Sequence, residues 1–279
     1  MHPAFRHGRT AVVTGAASGI GLAAAVRFAR EGLSVWLADL PGEALECARA
    51  EVAAAATAGA AVRALPTDVG RREAMDALRD AASADGPPAV VMLNAGIEAG
   101  GTLFSDEATW RRILDTNLWG VINGIEAFAP VMIEGGTDGA IVVTGSKQGI
   151  TTPPGNTPYN VSKAGVKVAT EALAHDLRER GAKVSAHLLI PGFVYTGLTK
   201  ARGVARKPDG AWTPEETVSF LITGMARGDF YILCPDNETT RRQDEKRIAW
   251  AAGDLIENRP ALSRWHPDYA DAYRRTMAE

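Results

Sequence analysis

The sequence predicts an α/β protein built on a single doubly wound parallel sheet of about seven strands, with helices on both faces. Three observations carry that expectation. Short β-rich apolar runs alternate with longer alanine-rich segments of helical period. Several of the runs are apolar on consecutive positions, as strands buried on both faces are. The intervening segments are long enough for right-handed crossovers. With 46% hydrophobic and 23% charged residues in a chain of 279, the composition is globular and excludes a disordered or collagen-like protein.

The elements follow in order. Thr10–Thr14 is the first strand, and Gly19–Glu31 is the helix beyond its glycine turn. Ser34–Ala38 leads to a helix at Gly42–Ala56, whose Ala53–Ala56 run has strong helix propensity. Ala61–Pro66 precedes helix Arg71–Ala82, Ala89–Leu93 precedes helix Asp106–Ile133, and Ala140–Thr144 precedes helix Pro158–Arg180. Lys183–Ile190 is followed by a surface loop, Gly197–Thr213, then helix Pro214–Arg227 and a last strand, Phe230–Leu233. The loop carries Lys200, Arg202, Arg206 and Lys207 and is long enough to close as a lid. Residues 1–234 are expected to form one catalytic domain. Residues 235–279 form a helical tail, with a charged helix at Glu238–Glu257 and an aromatic end bearing Trp265, Tyr269 and Tyr273, packed on the same domain or on a neighbouring subunit.

Thirty Lys+Arg against thirty-three Asp+Glu give a net charge of −3. That balance supplies no overall basic field, so neither nucleic acid nor a membrane surface is an expected partner. No apolar run reaches the ~18 residues needed to cross a bilayer, and Met1–Arg9 lacks the apolar stretch of a leader. Cys47 and Cys234 have no disulfide or zinc spacing, so a cytoplasmic location is expected. The five histidines form no ligand cluster, and no metal is expected.

The first strand runs into Thr14-Gly15-Ala16-Ala17-Ser18-Gly19-Ile20-Gly21 and opens a helix. Gly15 permits a tight turn, Gly19 lets backbone approach a pyrophosphate, and Gly21 lets helix and strand pack closely, while the helix N-terminus offers free N–H groups to phosphates. Taken alone, the glycines are also consistent with turn punctuation. The second strand ends on Asp39, near where a carboxylate would bond the adenosine ribose hydroxyls and repel a 2′-phosphate, which predicts NAD over NADP. Asp39 as an ordinary turn residue is the alternative.

Tyr159 and Lys163 stand four apart at the start of a helical segment, so phenol and ammonium share a face. A free phenol titrates near 10, and bringing it to neutrality takes roughly 4 kcal/mol of preferential stabilisation of the phenolate. A neighbouring Lys⁺ and an oxidised nicotinamide are candidate sources, which makes Tyr159 the candidate general base. Ser146 stands where a strand's carboxyl end would present its hydroxyl to a ligand, or cap a turn.

Together these motifs resemble the short-chain dehydrogenase/reductases over about residues 9–234, a family with a Rossmann-like fold. The resemblance rests on Thr14–Gly21, Asn94-Ala95-Gly96, Asn117, Ser146, Tyr159, Lys163, Pro191-Gly192 and Thr196. It implies Tyr159 as catalytic acid/base, Ser146 orienting the substrate oxygen, Lys163 holding the nicotinamide ribose and lowering the Tyr159 pKa, and Asn117 holding a relay water. The implied NAD site comprises Gly15, Ser18, Gly19, Ile20, Gly21, Asp39, Asp68, Val69, Asn94, Tyr159, Lys163, Pro191, Gly192, Val194 and Thr196. Asp68 and Asn94 are equally readable as Asx-turns. Gln148, Ile150, Phe193 and Tyr195 are expected to shape the substrate pocket from their proximity to the reacting residues. Lys147, unusual beside that serine, is expected to face solvent, with recognition of an acidic or polar substrate as the alternative. The activity implied is NAD-dependent interconversion of a secondary alcohol and a ketone by a homo-oligomer, dimer or tetramer. An NADPH-linked carbonyl reductase and a non-catalytic NAD(H)-sensing protein are the alternatives.

Overall fold

The computed structural model describes residues 1–197 and 203–278. Its seven strands are β1 (Thr10–Thr14), β2 (Ser34–Asp39), β3 (Val62–Pro66), β4 (Val90–Leu93), β5 (Gly139–Thr144), β6 (Val184–Ile190) and β7 (Tyr231–Leu233). All pair in parallel, in the order β3-β2-β1-β4-β5-β6-β7. The chain therefore winds outward from β1 in one direction, then returns and winds outward from β4 in the other. That reversal leaves a crevice at the carboxyl ends of β1 and β4, where ligands bind in open α/β sheets.

Strand residues alternate between two cores. Ala11 and Val13 face one side of the sheet, where α1 (Gly19–Arg30) and α2 (Glu43–Ala55) contribute Phe28, Leu45 and Val52. Val12, Ile141 and Val143 face the other, beneath Met75 and Leu78 of α3 (Arg72–Ala82). The strands are thus apolar at successive positions because each face has its own cover.

The long helix expected over Asp106–Ile133 is three pieces. They are α4 (Glu107–Leu114), a π-helical turn (Asp115–Trp119) and α5 (Gly120–Glu134). The π turn widens the helix where Asn117 is fully buried, a distortion frequent at functional sites. A one-turn helix, α6 (Gln148–Thr151), follows β5 and lies against α7 (Thr157–Glu179).

Among the described residues, β6 is followed in the chain by α8 (Pro214–Arg227). Lys200 and Arg202, singled out in the expected lid, lie outside the described residues. The rest of that loop is tied down at its base. Tyr195 N–H donates to Trp212 O at 2.9 Å and Trp212 N–H to Phe193 O at 2.8 Å. The Tyr195 hydroxyl donates to Ala205 O at 2.8 Å, and Lys207 Nζ to Ala211 O at 2.6 Å.

The tail forms α9 (Arg241–Ile256), two short 3-10 turns and α10 (Ala270–Ala278). Trp250 is buried within the tail, whereas Trp265 is 38% exposed. Trp250 meets the Tyr273 ring edge-on with centroids 5.3 Å apart, lies beneath the Arg259 guanidinium at 4.2 Å, and donates its indole N–H to Ser263 Oγ at 2.8 Å. Among the described residues no helix is long and apolar enough to cross a membrane.

Candidate functional site

The glycine loop has the geometry that its sequence demands. Gly15 and Gly19 have φ of +65° and +55°, the left-handed region that glycine enters without strain. A Cβ on Gly21 would stand 2.1 Å from Gly15 O, and one on Gly15 would stand 2.7 Å from Ala95 Cα. Gly21→Ala is accordingly expected to lose about 1–3 kcal/mol to overpacking, read as a lower thermal midpoint. Ser18 is the N-cap residue of α1 but its side chain caps nothing, and the first turn holds no acidic residue. The first turn of α1 thus carries neither a Ser18 cap nor an acidic side chain, and it lies at the crevice between β1 and β4. Ile20 packs into the first core and fixes the helix.

Asp39 reaches back across this loop. Its carboxylate accepts from Ala17 N–H and from Leu40 N–H, each at 2.8 Å. Asn94 is a clamp. It donates through Nδ2 to Thr14 O at 3.2 Å and accepts at Oδ1 from Thr144 Oγ at 3.1 Å, joining the β1 turn to the end of β5. Asp68 closes the Asx-turn that was its alternative, accepting from Gly70 N–H at 3.0 Å. The Val69 side chain is turned into the core, leaving its backbone to any cofactor contact. It is 5% exposed and packed where a Cβ on Gly120 would touch it at 2.6 Å, because glycine at the start of α5 admits its side chain into the core.

The reacting residues converge at the carboxyl ends of β4 and β5. Asn117 accepts from Ile97 N–H at 2.7 Å and donates to Ile97 O at 2.9 Å and Ser162 Oγ at 3.1 Å. Ser162 in turn donates to Tyr159 O at 2.7 Å, so the β4 exit and the first turn of α7 are locked together. The Tyr159 hydroxyl hydrogen-bonds with Ser146. Lys163, 4% exposed, donates to Thr144 O at 2.7 Å, and its Nζ lies 5.8 Å from the centroid of the Tyr159 ring.

The expectation that Lys163 depresses the Tyr159 pKa is not met in the ligand-free protein. Burial pushes the phenol above its ordinary value and only the Ser146 hydrogen bond opposes this. The physical reason is that Nζ is committed to Thr144 O and sits over the ring. Burial also lowers the Lys163 ammonium to about 8.

Lys147 overturns its expectation. It faces inward onto the tail, pairing with Asp244 Oδ2 at 2.6 Å and Asp236 Oδ2 at 3.3 Å. Asp236 also accepts from Phe193 N–H at 3.1 Å, so one carboxylate ties together the turn after Ser146, the segment after β6 and the start of the tail.

Pro191 and Gly192 lead into this junction. A Cβ on Gly192 would meet Asp236 Oδ2 at 2.6 Å and Lys147 Nζ at 2.9 Å. Val194, 9% exposed, bridges to Trp212, and Thr196 reaches the glycine loop, 3.2 Å from where a Gly19 Cβ would stand.

The expected substrate residues divide. Gln148 stays beside the reacting pair, its N–H donating to Ser146 Oγ at 3.2 Å. Phe193 is 38% exposed and Tyr195 is bound into the loop base. Ile150 does not join them. It lines a cavity of about 40 Å³ with Lys147, Asp244 and Ile248. Two residues along a helix rotate the side chain by about 200°, so Gln148 and Ile150 diverge. Glu98 and Asn156 were missed. Asn156, 6% exposed, donates to both Glu98 Oε1 and Gln148 Oε1. Only the proximity of Glu98 to Asn94-Ala95-Gly96 signalled it in the sequence.

The short chain dehydrogenase family model matches residues 9–207. The chain belongs to the short-chain dehydrogenases. The 1-deoxy-11-beta-hydroxypentalenate dehydrogenase of Streptomyces exfoliatus is 32% identical to it over 265 residues, covering 92% of this chain and 94% of its own. The galactitol 2-dehydrogenase (L-tagatose-forming) of Cereibacter sphaeroides is 37% identical over 195 residues, covering 69% and 74%. Among solved structures, a short-chain dehydrogenase/reductase from Burkholderia phymatum in complex with NAD has a TM-score of 0.82 and 32% identity, covering 91% of this chain and 96% of that one. The protein is accordingly an oxidoreductase of the short-chain dehydrogenase type, and the seven-stranded parallel sheet is the Rossmann-like fold expected of it.

Proposed function

We propose that this short-chain dehydrogenase interconverts a secondary alcohol and its ketone with NAD as the redox partner. The observation that carries the reading is the Ser146–Tyr159 hydrogen bond beside buried Lys163, at the same sheet edge as the glycine loop. The residues fit a dinucleotide. Gly15 and Gly21 have no room for a Cβ, the α1 N-terminus lacks a side-chain cap, and the Asp39 carboxylate stands across the loop at Ala17. The Burkholderia relative's complex with NAD supports the same cofactor.

When bound, the nicotinamide supplies the two-electron acceptor. The chain's own residues manage the proton and the substrate. Ser146 holds the substrate oxygen, and Tyr159 Oη, as phenolate, takes the hydroxyl proton as the carbon is oxidised. In reduction, neutral Tyr159 returns it. Lys163 holds the ribose and, as an ammonium, favours the phenolate electrostatically. Asn117, pinned on Ile97, positions a relay water by family resemblance. Asp68 and Asn94 complete the cofactor side, with Pro191, Gly192, Val194 and Thr196 facing them.

Asp39 argues against an NADPH-linked carbonyl reductase, because a carboxylate beside a 2′-phosphate is repulsive and neither Ala17 nor Leu40 supplies a cation. Asp39→Ser is expected to cut the NAD-over-NADP preference in kcat/KM by at least about tenfold, on the order of 1.4 kcal/mol. Equal use of both cofactors by the unmodified protein contradicts the assignment. The complete set of Ser146, Tyr159 and Lys163 likewise argues against a non-catalytic sensor.

A homo-oligomer, dimer or tetramer, belongs to the reading. Trp119, Val161 and Val168 are 51%, 45% and 63% exposed, an apolar surface on the π turn and α7 that a second copy would cover. The reduced cysteines, Cys47 and Cys234, support a cytoplasmic location.

A further inference from the structure

A second cluster of charge takes no part in the proton chemistry. It surrounds the cavity of about 40 Å³ between α6 and the tail. The charged wall of that cavity is Lys147, Asp244, Arg247 and Arg264, and Ile150 and Leu233 line part of the apolar remainder. Lys147 is spent on Asp244 Oδ2 at 2.6 Å and Asp236 Oδ2 at 3.3 Å. Three cations thus share two carboxylates, and the excess positive charge falls on the two arginines.

Arg247 donates through Nη1 to Thr239 Oγ at 3.2 Å, while the same atom stands 3.9 Å from Asp244 Oδ1, beyond hydrogen-bond reach. Its Nε is buried with no hydrogen-bond partner. Arg264 comes from the 3-10 turn Ser263–Trp265, and its guanidinium lies 4.7 Å from the centre of the Trp265 ring and 5.2 Å from that of Tyr273. Those two rings hold it in place. Burial and the Arg247 guanidinium press the Arg264 pKa below its ordinary value, against a hydrogen bond with Tyr273. Neither of these neighbours is a carboxylate. Two like charges at one cavity, one of them with an unmet buried donor, are costly unless an anion stands between them.

We propose that this cavity binds a small monocarboxylate between Arg247 and Arg264, at a site separate from Ser146 and Tyr159. The planar fork of a guanidinium matches a carboxylate, and the two carboxylate oxygens provide acceptors for Arg247 Nε and for Arg264 together. Size decides between anions. One water needs ~10–15 Å³, so the cavity holds about three, which suits the three heavy atoms of a carboxylate group and not the five of a phosphate. Asp244 on the same wall further disfavours a dianion. An ammonium would meet both arginines, and an alkyl group would leave Arg247 Nε unmet. The occupant ties α9 to the 3-10 turn beside α6, whose Gln148 N–H donates to Ser146 Oγ.

The test titrates the full-length protein with sodium formate, sodium acetate and inorganic phosphate, at constant ionic strength set with sodium chloride. Heat of binding and thermal midpoint are followed for the unmodified protein, Arg264→Gln, Arg247→Gln and Tyr159→Phe, with circular dichroism as the control for folding. Formate is expected to bind saturably and to raise the midpoint by about 3 °C at ten times its Kd. Phosphate is expected to bind at least about tenfold more weakly. Arg264→Gln is expected to weaken formate binding by about tenfold or more, and it decides the matter alone if Arg247→Gln, which gives up its bond to Thr239, does not fold. Tyr159→Phe is expected to bind formate as the unmodified protein does. Absence of saturable formate and acetate binding overturns the inference, as does formate binding that Arg264→Gln leaves unchanged. Phosphate binding as tight as formate binding overturns it too. So does loss of formate binding in a folded Tyr159→Phe protein, because the anion then sits at the reacting pair.

Discussion

Tyr159→Phe is expected to lower kcat for alcohol oxidation by about 10²–10⁴-fold while NADH binding is retained. The phenol ring remains to fill its place, and only the group that exchanges the proton is lost. The hydroxyl hydrogen-bonds with Ser146, and burial holds its pKa above the ordinary phenol value in the ligand-free protein. Tyr159 is therefore neutral at physiological pH before ligands bind, and the phenolate has to form within the assembled complex. Oxidation, which needs the phenolate, should accelerate as pH rises, and ketone reduction, which needs the phenol, should slow.

Lys163 adds a limb of opposite sign. Its ammonium is lowered to about 8 by burial, so the charged form is complete below that pH and is lost as pH rises through it. The kcat/KM for NAD, which reports groups of the free enzyme, is expected to decline above about pH 8, and Lys163→Met should remove that decline along with most of the activity. A Tyr159→Phe protein that keeps most of its turnover would contradict the assigned proton transfer.

Lys147→Ala is expected to destabilise the fold by about 3–5 kcal/mol, a fall on the order of 10 °C in thermal midpoint. The lysine side chain is 17% exposed, and those of Asp236 and Asp244 are 7% and 4% exposed, so its removal leaves Asp244 with Arg247 Nη1 at 3.9 Å and Asp236 with backbone N–H donors as their remaining partners. The two acids are not equivalent. Burial pushes Asp244 above the usual carboxylate range despite Lys147. Burial also acts on Asp236, but backbone N–H groups of Phe193, Thr239 and Glu238, together with Lys147, hold it below that range. Asp244→Asn should therefore cost much less than Lys147→Ala, and Lys147→Met combined with Asp244→Leu should recover part of the loss. Because Lys147 adjoins Ser146, the single variant should also depress turnover. An unchanged melting temperature would show that the junction between tail and site carries no weight.

Much of this architecture was legible in the sequence because strands buried on both faces leave unbroken apolar runs. The seven expected strands match the observed ones, with only end residues differing. The π turn within Asp106–Ile133 escaped notice because one widened turn barely disturbs helical period. So did α6, whose four residues are too few to show any period. Lys147 was misread for a different reason. Lysine is ordinarily exposed, and its partner Asp236 comes 89 residues later, beyond the reach of any local pattern. Asn94 and Asp68 show the same limit on a smaller scale. Their motifs located them, but only the fold distinguishes a clamp between β1 and β5 from a local Asx-turn.

The most direct test of the central claim follows nicotinamide absorbance while a panel of secondary alcohols, diols included, is offered to the full-length protein with NAD. The expected result is NADH formation on at least one alcohol, abolished or nearly so by Tyr159→Phe, with the matching ketone reduced when NADH is supplied instead. Tight NAD binding with no Tyr159-dependent turnover on any member of the panel would contradict it.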